Sequence, residues 1–186
     1  MTTQTPPPIT LEGDLVALGR RGLHTLRAAL VRDAGDTMAA AFQEAGFAAG
    51  DQVYDHLRRW LRTWTGVDDP GQLDATGLNE CLGRFFAALG WGPIAVAAAG
   101  RSGLTLTSPD WAEAAPGTGD TPTCFFSAGM LASVLSRLAD RDVAVMEVEC
   151  RSRGDAHCRF LAGSPESLTA AYEAMAAGGS WEQALS

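Results

Sequence analysis

The sequence predicts an α+β domain in which one antiparallel sheet of about four strands, arranged as two hairpins, carries helices packed on it. Three observations predict this class. Before Trp91 the apolar residues recur at helical spacing; after it, short apolar or alternating runs are punctuated by Gly and Pro; and a further helical stretch separates two hairpin-like pairs. A chain of 186 residues, 46% hydrophobic and 19% charged, is sized for one core. We expect residues 1–10 to be a poorly ordered tail with three consecutive prolines, and 11–186 to form a single domain. Within it, 11–89 supplies N-terminal helices and 90–186 the sheet and a metal-site region.

From Asp14 to Val31, the residues Leu15, Leu18, Gly22, Leu26 and Ala29 fall on one stripe, which predicts an amphipathic helix burying that stripe and leaving His24 off it. Thr37 to Ala45 predicts a second helix stopped by Gly46. Asp51 to Trp64 predicts a third, with Val53, Leu57, Trp60, Leu61 and Trp64 on one side. After a turn at Asp68 to Gly71, a fourth helix over Leu78 to Leu89 closes at Gly90. Ile94 to Ala99 and Leu104 to Thr107 then read as a hairpin, turning at Gly100 to Gly103. Ser108 to Thr123 is a long loop containing Trp111, and long loops in compact domains are often functional. Phe125 to Leu138 is a helix whose small residues Ala128, Gly129, Ala132 and Ser133 let another element approach closely. A second hairpin pairs Val143–Cys150 with Cys158–Leu161, and a last helix runs over Glu166 to Ala176.

The formal charge is −8, and every basic side chain apart from histidine is arginine, with no basic run. Direct nucleic-acid binding is therefore not expected, because such a surface lacks the cations that displace counterions from phosphates. No cationic start precedes an apolar run, and no apolar stretch is long enough to span a bilayer, so we expect a cytoplasmic protein without a membrane span.

In a reducing compartment four cysteines are thiols or metal ligands rather than a disulfide framework. Cys124, Glu147, Cys150 and Cys158 make a chemically sound tetrahedral set for zinc, and with all four bound the site is closed, as structural sites are. Spacing alone leaves this reading level with that of ordinary buried thiols. In a regular strand Glu147 and Glu149 share a face while Cys150 points the other way, so Glu147 and Cys150 converge only across a bulge or twist. On pattern alone Glu149, or three cysteines and a water, fits slightly better, and His157 is a further alternative or a supporting group. Cys81 lies on the apolar stripe of its helix and is read as a core thiol.

Two segments, Cys124-Phe-Phe-Ser-Ala-Gly129-Met-Leu-Ala-Ser-Val-Leu135 and Val145-Met-Glu147-Val-Glu-Cys150-Arg-Ser-Arg-Gly154-Asp155-Ala-His-Cys158-Arg-Phe160, closely resemble the four-vinyl-reductase (4-vinyl reductase, hydrocarbon-binding) domain family. The likeness runs over about Leu78 to Leu185, including the ending Ala174-Met-Ala-Ala-Gly-Gly-Ser-Trp-Glu-Gln-Ala-Leu185. The family includes proteins associated with bacteriochlorophyll synthesis, archaeal hydrocarbon-binding proteins and sensor domains of aromatic-responsive regulators. The resemblance implies zinc on Cys124, Glu147, Cys150 and Cys158, choosing Glu147 over Glu149. It also implies a fold shared with a TRAPP-complex subunit, an apolar pocket and a homodimer. The sensor members grip a phenol hydroxyl with a histidine and a tryptophan. Trp111 fits the second role, but no histidine lies between His56 and His157, so that clamp is missing.

Trp111, Phe126 and Met130 are the candidate ligand-binding residues, although aromatics and methionine at such spacing more often fill a core. No phosphate loop, nucleophile elbow or paired-carboxylate motif is present, and neither is a dinucleotide fingerprint or an iron–sulfur cysteine set. Binding is thus expected over catalysis. The reading is a zinc-stabilised sensor or carrier domain for a small apolar, aromatic or tetrapyrrole-like ligand, acting alone or through a regulator or biosynthetic enzyme. The alternatives are an accessory or reductase component in (bacterio)chlorophyll 8-vinyl reduction and a structural interaction module.

Overall fold

A computed structural model describes residues 5–10, 13, 15–35, 37–101 and 103–185. Its elements are α1 (Arg20–Ala34), α2 (Thr37–Thr65), α3 (Ala75–Ala88), β1 (Ala95–Ala99), β2 (Gly103–Ser108), α4 (Phe125–Ala139), β3 (Ala144–Glu149), β4 (Cys158–Gly163), α5 (Pro165–Ala176) and α6 (Trp181–Ala184). Single 3-10 turns at Pro70–Gln72 and Arg151–Arg153 complete the order. The sheet is antiparallel in the order β1-β2-β4-β3, so each predicted hairpin is present and β2 joins them by pairing with β4. Alternation assigns the two faces. Leu106 and Phe160 point into the larger core under α2, α3 and α4, whereas Leu161 and Val148 point into a smaller one with Leu168, Ala171 and Leu185.

The helices depart from the periodicity reading in two places. The second and third predicted helices are one continuous α2, and the expected stop at Gly46 does not occur. Gly46 is a contact point instead: a Cβ there would sit 1.9 Å from the Phe126 carbonyl oxygen, and one at Gly50 would sit 2.3 Å from Ser133 Cβ. The glycines let the backbones of α2 and α4 touch, as the small residues on α4 anticipate.

The second departure is α1, which begins at Arg20 and packs the other way round. Leu18 and Leu26 of the expected core stripe are 61% and 48% exposed, while Arg27 is only 6% exposed. Three polar side chains at helical spacing hold α1 to the long loop. Arg20 Nη1 bonds both Asp110 carboxylate oxygens at 3.1 Å, His24 Nε2 donates to the Ala112 carbonyl at 2.9 Å, and Arg27 Nη1 donates to the Glu113 carbonyl at 2.8 Å. Hydrophobic periodicity misleads here because polar docking, rather than apolar burial, sets the face. At the N-terminus, the Pro7 carbonyl accepts from Trp60 Nε1 at 3.0 Å and Ile9 packs on the core.

Candidate metal centre

The segment that follows the loop delivers Cys124 to the first turn of α4, whose N-terminus carries no local cap. An unpaired helix start needs acceptors from elsewhere, and two buried carboxylates provide them. Glu147 Oε2, from β3, accepts from the backbone N–H of Thr123 at 3.1 Å and of Cys124 at 2.9 Å. Glu113, fully buried in the loop, accepts from the N–H of Phe126 at 3.1 Å and of Ser127 at 2.8 Å. Ser127 Oγ also donates to Glu113 and accepts from Trp111 Nε1 at 2.6 Å.

Cys150 follows β3, and Cys158 opens β4. The turn between them is built by Gly154, whose φ of 102° suits glycine, and by Asp155, whose Oδ2 accepts from Cys150 N at 2.7 Å. The pairing of β3 with β4 shifts register between Glu147 and Glu149, which is the bulge that convergence of Glu147 with Cys150 requires. One ligand atom from each of Cys124, Glu147, Cys150 and Cys158 lies within 4.8 Å of the others, and all four residues are buried.

This set fits a metal ion. Cys124 Sγ and Cys150 Sγ are 3.9 Å apart, against an edge of about 3.8 Å for a tetrahedron with metal–sulfur bonds of about 2.3 Å. Glu147 Oε1 is the single buried side-chain oxygen or nitrogen without a hydrogen-bond partner among the described residues, and it belongs to this cluster. Such an orphaned acceptor is costly unless something binds it. Electrostatics agrees. Burial and the Cys150 charge push the Glu147 carboxyl up to about 8, and burial, reinforced by the neighbouring thiols, pushes Cys124 up. Thiol donation from Cys124 and Cys158 pulls Cys150 down. A cation would relieve this crowding of acidic groups.

The alternative ligands pair elsewhere. Glu149 contacts His157 Nε2 and accepts from Arg159 Nη1 at 3.1 Å, and neither Glu149 nor His157 joins the cluster. Cys81 is apart from it, its thiol pushed up to about 12 by burial. Of the candidate ligand residues, Trp111 and Met130 are fully buried; Phe126 is half-buried, stacked on Trp91 at 5.9 Å. Sequence reasoning missed Glu113 and Arg27. Glu113 did leave a signal, a lone carboxylate in the apolar run Trp111-Ala-Glu-Ala-Ala115 just before an uncapped helix. A cleft of about 620 Å³ opens beside the centre, between α1, the start of α2 and the end of the loop.

The fold and the buried donor set describe a small α+β domain with a site that can hold a metal ion. Residues 110–164 match the family model of the vinyl-4-reductase (V-4-R) domain, a span that begins just before Trp111 and contains all four cluster residues. The match falls on the family that the two quoted segments resemble. Among solved structures, the phenol-responsive sensory domain of the transcription activator PoxR, with phenol, aligns at a TM-score of 0.63 and 19% identity, covering 82% of this chain and 77% of that one. A trafficking protein particle complex subunit 3 from Naegleria fowleri, covalently bound to palmitic acid, aligns at 0.59 and 13% identity, covering 77% and 91%. A vinyl-4-reductase family protein from Methanocaldococcus jannaschii aligns at 0.47 and 17%, covering 80% and 83%. At these identities the first two establish the fold. No curated protein matches the sequence. Among the described residues no helix is long and apolar enough to cross a membrane.

Proposed function

We propose that this chain is a zinc-stabilised small-molecule-binding domain, a sensor or carrier for an apolar, aromatic or tetrapyrrole-like ligand. The observation that carries the reading is the buried Cys124, Glu147, Cys150 and Cys158 cluster with its orphaned carboxylate oxygen, lying inside the span that matches the vinyl-4-reductase family model. Three thiolates select a thiophilic ion, and four protein ligands leave no position for an activated water, so the ion ties α4 to the second hairpin. The sensory fold of PoxR supports small-molecule binding. Of the three candidate ligand residues, Phe126 is accessible without repacking, whereas contact with Trp111 or Met130 requires the core to open. A homodimer fits the apolar residues left outside, Leu18, Leu26, Val31 and Phe47.

Elemental analysis of protein purified without added metal is expected to give about one zinc per chain. Cys158→Ser should lose the metal and with it much of the thermal stability, since structural-site binding energy is folding energy. Cys81→Ser should keep its zinc. Equal metal content in the two variants, or none in the parent chain, defeats the zinc assignment. Thermal-shift screening with phenols, fatty acids and porphyrins is expected to find a class that raises Tm by mass action, and a screen without any such class counts against ligand binding.

A further inference from the structure

The cleft beside the metal centre has a mixed lining. Ala28 and Val31 of α1 and Met38 and Ala39 of α2 make an apolar wall with Phe125, while Thr118, Gly119, Thr121 and Thr123 form the opposite rim. Its volume, about 620 Å³, is that of a small-molecule site. Arg27 lines it as well and is 6% exposed. Burying a guanidinium is costly unless an anion or several acceptors meet it. Arg27 uses Nη1 alone, on the Glu113 carbonyl at 2.8 Å and Thr123 Oγ1 at 3.0 Å, both neutral oxygens. No carboxylate of the described residues lies within ion-pair distance of it. The charge of Glu113 is near enough to be felt, but its carboxylate oxygens are taken up by Phe126 and Ser127.

We propose that this cleft binds a small organic monoanion, a carboxylate on an apolar or aromatic body, with Arg27 receiving the carboxylate and the Val31, Met38, Ala39 and Phe125 wall receiving the body. A guanidinium held through one nitrogen keeps its remaining N–H donors for a carboxylate, whose two oxygens match that fork. The cleft has one arginine in a chain of net charge −8, so one negative charge is matched and a phosphate dianion is not. The apolar wall excludes a bare inorganic anion as the preferred occupant. This ligand class rests on the small-molecule-binding reading above and narrows it.

The test is calorimetric titration of the metal-loaded chain with benzoate, with neutral benzamide and with inorganic phosphate. Benzoate should bind saturably, and the other two at least about tenfold more weakly. Arg27→Met, which keeps the stem and removes the charge, should weaken benzoate by about ten- to a hundredfold. Ala28→Trp, on the exposed side of α1, should block the cleft without touching the Arg27 bonds, and it decides the location if Arg27→Met fails to fold. Benzamide or phosphate binding as tightly as benzoate overturns the proposal, as does benzoate binding to Ala28→Trp with parent affinity or an absence of benzoate binding. If neutral aromatics still raise Tm in that last case, the small-molecule reading stands and the anion is wrong; if no ligand of either kind binds, both fall.

Discussion

Glu113 and Glu147 each set a carboxylate against backbone N–H groups at the start of α4, yet they meet different fates. Glu147 retains an unpartnered oxygen among three thiols, where a cation can take it; Glu113 has donors from Phe126 and Ser127 and no site for an ion. Burial pushes the Glu113 carboxyl up to about 7, with the Ser127 and Phe126 donors and the Arg27 charge pulling against it. A folded-state value above the unfolded one means that the native chain holds a proton the unfolded chain has released. The resulting stability is full below about pH 4.5 and is lost as pH rises through about 7. For the metal-loaded protein, the Tm advantage of the parent chain over Glu113→Gln should therefore shrink between about pH 5 and pH 8. An advantage that stays constant across that range would show that Glu113 does not take up the proton. Little of this residue's role was legible in advance, because a capping partner distant in sequence leaves only the negative sign of a helix without a local cap.

At the scale of elements, glycine carried two opposite meanings in one chain. Gly90 follows α3 with φ 85°, as a glycine read as a helix end should, whereas Gly46 lies inside α2 with its Cα against the Phe126 carbonyl. Periodicity cannot separate these cases, because the deciding neighbour is more than seventy residues away. The strands were more legible: alternation in Leu104 to Thr107 and the polar turn between Cys150 and Cys158 are local signals, and both hairpins are present. The bulge between Glu147 and Glu149 was identifiable as a requirement of the metal set and not from the strand itself. The glycine contrast has a sign that can be measured. In a solvent-facing helix Gly→Ala stabilises by up to about 1 kcal/mol. Gly22→Ala, whose added Cβ would meet only the exposed Leu18 side chain at 3.2 Å, should follow that rule. Gly46→Ala should reverse it and cost roughly 1–3 kcal/mol, because the atom it meets at 1.9 Å is main chain and cannot rotate away. Urea midpoints that move in the same direction for both variants would refute the close contact between α2 and α4.

Across the whole molecule, the loop between β2 and α4 is the part through which distant elements hold one another. On one side it anchors to the second hairpin: Ala115 N donates to Ser152 Oγ at 3.0 Å, and Thr118 N and Gly119 N donate to the Ser152 carbonyl at 3.1 and 3.2 Å. On the other it carries Asp110, Ala112 and Glu113, the residues to which Arg20, His24 and Arg27 of α1 are bonded. At its end, Thr123 accepts from Arg27 and donates to Glu147, one residue before Cys124. An ion bound by Cys124, Glu147, Cys150 and Cys158 would therefore fix both ends of this chain of contacts, and α1, with much of its apolar face outside, has little other attachment to the body. The sheet is different, since β1, β2 and the packing of α5 on it rest on ladder hydrogen bonds and the smaller apolar core, neither of which passes through the cluster. Removing the metal should then loosen the molecule unevenly, because local opening free energies follow the contacts each segment keeps. Hydrogen exchange before and after chelation should show faster exchange over residues 110–124 and α1, with β1, β2 and α5 close to their original rates. Exchange that rises uniformly would mean that the centre supports the whole fold and not this loop, and unchanged exchange throughout would mean that the cluster holds no structural ion.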